Sequence, residues 1–462
     1  MSSDTRPLVA LIGTLDTKQT EYQFATTWLQ DRGCNVAVFD ASTRDAPEGS
    51  ASGSFEIGTG SKLYRAKELL EGHSSRGRHQ SPPTERDAVR DALQSACLHE
   101  LGELQAQGAV DAIASFGGSQ NTAFATSIMR DSRFPIGLPK FMLTTMASGD
   151  VSEYLGESDI CIMPSVGDIS GSLNAITRTT LQNALAAISG MAHTHLASRR
   201  AHTKSELGQK DHKPLVAISM FGVTTVGVNQ ISDLLKDKGY EPVAFHATGS
   251  GGRTMERLIR EGFFCAVIDL TTTELCDHLY DGVLSAGPDR LTAAAAYGIP
   301  QVVSLGALDM INFGSLASLP SRYELEKSSE KGPMHHTKDG AQVYEHNSQV
   351  TLVRTSSDQC RELGTFLVGQ LVKGVERRGR DKEAAPIRIL SPQAGISAMD
   401  GTDGVWDNPE ARDALLDGIQ GALQEHAASR DKKNTIQVVT KDSHINSPEF
   451  AQAVVDELLR II

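Results

Sequence analysis

The stretch Leu8-Val9-Ala10-Leu11-Ile12-Gly13-Thr14-Leu15-Asp16-Thr17-Lys18 sets five apolar residues directly before a glycine and a run of hydroxyl, acid and amine groups. An unbroken apolar run of this length reads as a strand buried on both faces of a parallel sheet, ending in a polar loop. Tyr22, Phe24, Ala25, Trp28 and Leu29 follow at roughly helical spacing. In an open α/β sheet, ligands bind in the crevice beyond the carboxyl ends of the strands. Asp16, Thr17 and Lys18 are therefore expected to face a ligand.

Working outward, Asp31-Arg32-Gly33 stops the helix and Cys34 to Phe39 forms a second strand that ends in Asp40-Ala41-Ser42-Thr43. Residues 44–61 read as a loop, Leu63 to Glu71 as a short helix, and His73 to Thr84 as a polar mobile segment. A long helix spans Glu85 to Gln107 on the three- and four-residue spacing of Val89, Leu93, Ala96, Cys97, Leu101 and Leu104. The strand Ala109 to Phe116 runs into Gly117-Gly118-Ser119-Gln120-Asn121-Thr122 and a helix ending at Met129. Strands at Lys140 to Thr145 and Ile160 to Met163 follow, then a helix from Leu173 to Ala197. The charged, His-rich residues 201–213 read as a linker between units 1–200 and 214–462.

The second unit repeats the first. Leu215 to Thr225 has the layout of Leu8 to Lys18, and Gly239 and Phe245 lie 206 residues after Gly33 and Phe39. Gly298-Ile299-Pro300 echoes Gly137-Leu138-Pro139 in the same order. The expected fold is α/β, with two Rossmann-like subdomains whose mostly parallel sheets face a central cleft. Residues 306–347 read as irregular, with Arg322 to Lys338 a candidate lid or insertion.

Composition narrows the function. A net charge of −13 disfavours nonspecific binding to nucleic acid or anionic membranes. No apolar run approaches the roughly 20 residues that span a bilayer. Residues 1–6 lack a charged-then-apolar leader, and the six cysteines form no CxxC pair, so a reducing, cytoplasmic setting is expected. Neither a Walker A sequence nor a strict GxGxxG after a strand occurs. Gly117-Gly118-Ser119 is a turn between strand and helix whose amides suit an anion. A nucleophile-elbow reading is disfavoured because Asn121 stands where the final glycine is needed. In the second unit, His246, Asp269 and Glu274 lie near strand ends and are candidates for acid–base catalysis. The competing reading is a satisfied histidine and a helix-capping Thr271-Thr272-Thr273 run. His335, His336 and His346 read as an exposed loop, and no metal site is expected.

Several ordered motifs resemble one family. They are Gly13 to Lys18, Met220 to Thr225, Phe245 to Gly249, Asp269 to Glu274, Gly306 to Gly314 and Gly395 to Asp400. The family is that of the tomato mosaic virus resistance protein. The resemblance implies dimerisation and ATP, alone or with Mg²⁺, bound by the N-terminal subdomain. Carried across, the nucleotide site comprises Asp16, Thr17, Lys18, Thr43, Arg86, Gly117, Gly118, Ser119, Gln120 and Asn121. The plant Gly-Gly-Ser-Gly-Gly is here Gly-Gly-Ser-Gln-Asn, which adds two side chains to the turn. Two alternatives stay open: an enzyme acting on a small phosphorylated or carboxylated metabolite in the inter-subdomain cleft, and an ATP-stabilised interaction module.

Overall fold

In the computed structural model, residues 5–43, 55–76, 85–205, 213–326, 332–379, 382–428 and 436–462 are described. The chain divides into two compact units, Met1–Lys210 and Asp211–Ile462. The first contains β1 (Leu8–Gly13), α1 (Leu15–Gln30), β2 (Asn35–Asp40), β3 (Lys62–Tyr64), α2 (Ala66–Arg76) and α3 (Arg86–Ala106). It continues through β4 (Ala112–Gly117), α4 (Ser119–Met129), β5 (Lys140–Thr144), α5 (Ser152–Leu155), β6 (Cys161–Pro164) and α6 (Ala175–Ser205). Its sheet has the order β3-β2-β1-β4-β5-β6, with every pairing parallel. This is the doubly wound order with one topological switch point, between β1 and β4.

Both sheet faces are covered, which is why β1 is apolar throughout. Ala10 and Ile12 pack with Leu93, Leu101 and Ile128 on one side. Val9 and Leu11 pack with Leu29, Leu185 and Ile188 on the other. At the switch point the two central strands part. Their register ends at Ile12 opposite Ser115. Beyond it the Tyr22 hydroxyl, from α1, donates to the Ile12 carbonyl at 2.6 Å and accepts from the Phe116 amide at 3.0 Å. The side chain thus supplies the ladder bonds that the diverging strands no longer give each other. Gly13 is required beneath it, since a Cβ there would come within 1.9 Å of the Tyr22 ring.

The second unit holds β7 (Leu215–Met220), α7 (Thr225–Asp237), β8 (Glu241–His246), α8 (Ser250–Arg260), β9 (Ala266–Thr271), α9 (Glu274–Leu279), α10 (Ala293–Tyr297) and β10 (Gln301–Gly306). After β11 (Met310–Phe313), β12 (Met334–His336), β13 (Gln342–Asn347) and β14 (Val350–Arg354) come α11 (Ser357–Arg378), β15 (Ile387–Pro392), α12 (Pro409–Ala428), β16 (Ile436–Lys441) and α13 (Pro448–Leu459). Its parallel sheet has the order β16-β15-β10-β9-β7-β8, so the switch point falls between β7 and β9. The same device recurs there. Register ends at Ile218 opposite Ile268, and the Ser219 hydroxyl donates to the Thr271 carbonyl at 2.9 Å and accepts its amide at 3.0 Å.

Several expectations change. The segment read as irregular, residues 306–347, supplies three strands of an antiparallel sheet ordered β11-β14-β13-β12. His335 and His336 lie on β12 of that sheet rather than in a loop. The helix expected from Leu63 is the short edge strand β3 followed by α2. The expected linker begins too early, because α6 continues to Ser205. Most of the loop 44–61 and of the polar segment 73–84 lies outside the described residues.

Tyr22→Phe should leave the Phe116 amide without its acceptor in a buried site and destabilise the N-terminal unit by about 1–3 kcal/mol. Urea unfolding followed through that unit's transition checks this. An unchanged midpoint would mean that the hydroxyl bridge contributes nothing.

Candidate functional site

The crevice at the β1/β4 switch point gathers most of the residues expected there. The first turn of α1 is a separate piece, since Lys18 departs from helical geometry at φ −136°, ψ 27°. Residues 14–18 therefore form a tight loop, closed by the Lys18 amide donating to the Thr14 carbonyl at 3.0 Å. The hydroxyls of Thr14 and Thr17 lie 3.1 Å apart, and Lys18 Nζ donates to Thr17 Oγ1 at 3.4 Å. Thr17 is exposed and Lys18 half-buried, so both can meet a ligand.

Across the crevice, α4 starts at Ser119 with Gly118 as its N-cap and no side-chain cap. A Cβ on Gly118 would meet only Thr145 Oγ1, at 3.7 Å. This helix end presents a bare, approachable backbone with the positive end of the helix dipole behind it. Gln120 and Asn121, the two side chains that follow Ser119, have different fates. Asn121 turns inward, its amide donating to Ser115 Oγ at 2.8 Å and the Phe116 carbonyl at 3.0 Å. It belongs to the Tyr22 network and leaves the helix terminus clear. Gln120 is exposed, and its Oε1 accepts from Arg86 Nη2 at 3.1 Å, which draws the start of α3 to the rim of the turn. Ser119 is exposed and Thr43 half-buried.

Asp40 is a participant that sequence reading missed. At the end of β2, its Oδ1 accepts from the Leu15 amide at 3.3 Å, from the Ser42 amide at 3.0 Å and from the Ser42 hydroxyl. Ser42 Oγ in turn accepts from the Asp16 amide at 2.9 Å. Asp40 thereby locks the β1 loop to the end of β2. The available signal was an acid ending the second strand, the position that reads a ribose in doubly wound folds. Burial first, and then the Asp40 carboxylate, raise the Asp16 carboxyl above its ordinary value. Asp16 Oδ1 is buried with no hydrogen-bond partner. An orphaned acceptor at a strand end fits a bound hydroxyl or a cation-held water.

The candidates in the second unit are not brought together as acid and base. Asp269 and Glu274 are fully buried around Arg290, which also reaches Glu256. Arg290 Nε donates to Glu274 Oε2 at 2.7 Å, and Nη2 pairs with Asp269. The other Glu274 oxygen accepts from the amides of Gly249 and Gly252, at 2.7 and 3.1 Å. The glycine-rich turn after His246 thus already holds an anion, a carboxylate from its own chain. His246 is exposed at the end of β8, edge-on to Phe221. The acid–base pairing expected of His246 with Glu274 is not formed, because Glu274 and Asp269 are consumed by a structural ion cluster.

The crevice of the second unit is also filled. The Val223 carbonyl accepts from the Ala398 amide and from Asn446 Nδ2, both at 2.9 Å. Phe221 and Val223 pack on Ala307, Met310, Leu352, Met399 and Trp406. Among the described residues no group of three or more His, Cys, Asp or Glu side chains could hold a metal, and no helix is long and apolar enough to cross a membrane.

Family models place the chain. Residues 7–197 match the N-terminal domain, and residues 213–462 the C-terminal domain, of the uncharacterised protein family UPF0261. The chain belongs to the UPF0261 family. A UPF0261 protein of Mesorhizobium japonicum is 37% identical over 96% of this chain and 97% of its own length. One from Clostridium tetani is 34% identical over 98% of each. The ToMV resistance protein Tm-1 of Solanum lycopersicum is 32% identical over 98% of this chain but only 56% of its own length, which bears out the family resemblance read from the motifs. Among solved structures, UGT2 of Phytolacca americana aligns at 11% identity over 66% of this chain and 80% of the other, with a TM-score of 0.22, too low to carry an argument.

Arg290→Met should remove the cation that pairs with all three buried carboxylates and cost about 3–5 kcal/mol at about pH 7.5. Burial already raises Glu256 and Glu274 above their ordinary values even with Arg290 present. Carboxyls raised in the folded state favour it at low pH and lose that favour as pH rises through the raised values. The deficit of the variant should therefore shrink toward pH 5 in paired urea titrations. A deficit independent of pH would contradict the assignment.

Proposed function

We propose that the N-terminal unit binds ATP or a related nucleotide at the β1/β4 switch point. The observation that carries this reading is the uncapped N-terminus of α4 at Gly118-Ser119, at the same carboxyl edge of a doubly wound 3-2-1-4-5-6 sheet as the β1 loop that carries Lys18. Lys18 supplies a compact positive charge and the Gly118 turn supplies backbone donors, a pairing suited to polyphosphate. Arg86 reaches the same turn through Gln120 and adds a second cation at the rim. Thr14 and Thr17 offer hydroxyls for phosphate oxygens. Asp16 and Asp40 stand where a ribose hydroxyl or the water shell of a phosphate-bound Mg²⁺ would need acceptors. Asp16 Oδ1, buried and unpaired, is the acceptor best placed for that duty. Bound Mg²⁺ would screen phosphate charge, while Asp16 and Asp40 would act through its waters.

The family relationship supports the same reading, since the motifs at Gly13 to Lys18 and Gly117 to Asn121 are those the resemblance assigns to nucleotide. The cleft-enzyme alternative loses its main support, because its carboxylates, Asp269 and Glu274, are engaged by Arg290.

ATP at a hundredfold excess over its dissociation constant should stabilise the unit by about 2.7 kcal/mol. Lys18→Ala removes a charge-assisted contact of about 1.5–3 kcal/mol and should weaken ATP roughly 10- to 100-fold. Thermal unfolding with and without millimolar ATP reads both effects. A wild-type melting temperature that ignores ATP sinks the proposal.

A further inference from the structure

At the opposite end of the second sheet from its strand-end crevice lies a cleft of about 520 Å³, within the range of small-ligand sites. It borders the starts of β10 and β15 and is lined by the ends of three helices. Arg260 comes from the last turn of α8, Arg377 and Arg378 from the last turn of α11, and Lys382 from the segment leading into β15. Tyr297, ending α10, is 53% exposed beside them. Four cations converging on one concave volume stand out in a chain of net charge −13.

Basic residues at helix ends commonly offset the dipole and the free carbonyls. That accounts for a cation at each terminus but not for several termini sharing one hollow. Two of the guanidiniums are held in place. Arg377 donates to Asp289 Oδ1 at 2.7 Å and to Thr292 Oγ1 at 3.2 Å. Arg378 Nε donates to the Glu383 carbonyl at 2.5 Å, and its guanidinium lies beside Gly298. Gly298 sits at φ +75°, and a Cβ there would come within 2.0 Å of the Arg378 group. Both the turn and the packing therefore require glycine. By contrast, among the described residues no acceptor engages the side chains of Arg260 and Lys382. Asp289 already serves Lys373 and Arg377, so it does not neutralise the others.

We infer that this cleft is a second anion site, taking a multiply charged phosphate compound of sugar-phosphate to nucleotide size. Arg260 and Lys382 grip the phosphates, Arg378 fixes their position, and the Tyr297 ring covers the uncharged part of the ligand. The site is independent of the nucleotide crevice in the N-terminal unit, so the two stand or fall separately.

The test is calorimetric titration of the full chain with tripolyphosphate in Lys18→Ala, with and without Arg260→Gln/Lys382→Gln. Both added substitutions are at exposed positions, and a melting scan confirms that the fold persists. Lys18→Ala should still bind one equivalent, weakened at least tenfold by the added pair and weakened further by added salt. No binding by Lys18→Ala, or an affinity untouched by the pair, overturns the site. Adding Arg260→Gln/Lys382→Gln to otherwise unaltered protein should leave the ATP-induced thermal shift of the N-terminal unit in place. Loss of that shift would overturn the independence of the two sites.

Discussion

The divergence of β1 from β4 is the constraint on which the N-terminal unit depends. Two parallel strands cannot part without abandoning ladder bonds, and a buried amide or carbonyl left alone costs more than one never buried. Tyr22 resolves this from the side by bonding Ile12 on one strand and Phe116 on the other. Its ring demands glycine at position 13, and its hydroxyl organises Ser115 and Asn121 beneath the turn. The crevice, the bare helix end at Gly118 and the tight loop before Lys18 all sit on that support. The second unit meets the same geometric demand with a smaller group, the Ser219 hydroxyl, and there the gap is closed by residues from later in the chain.

What could be read from the sequence followed from local pattern. β1 and β4 are dense apolar runs ended by glycine, and β7 and β9 are apolar runs with Ser219 in the one and Asp269 and Thr271 in the other, which is what burial on both faces imposes. The strand-to-helix turn at Gly117 was legible too, since bare backbone shows itself in the sequence as missing side chains. The antiparallel sheet was not legible. Its strands at Met310–Phe313 and Met334–His336 are only 4 and 3 residues long, and the latter carries two histidines, so neither periodicity nor propensity marks them. Propensity also misled at Leu63, where a three-residue edge strand precedes the helix.

The misreading of Glu274 has a different cause. An acid just after a strand, near a histidine and a glycine-rich turn, has the composition of a catalytic site. Its partners come from residues 249, 252 and 290, and nothing in the order of the letters announces that Arg290 will be buried among three carboxylates. Asp40 was passed over for the converse reason. Its role lies in bonds to the backbone of Leu15 and Ser42, which only the spacing of β1 and β2 brings within reach. Chemistry carried by a contiguous loop can be read in one dimension, whereas chemistry assembled across strands cannot.

The amides of Gly249 and Gly252 form the kind of nest that elsewhere welcomes a diffusible phosphate. Here the guest is tethered. Because Glu274 is part of the same chain, its local concentration is fixed by covalent connection and does not follow the metabolite pool, so a free competitor starts at an entropic disadvantage. The loop has in effect exchanged a regulated vacancy for a permanent tenant. Its glycines report how the backbone is shaped, and only the occupant reveals whether that shape is still for hire.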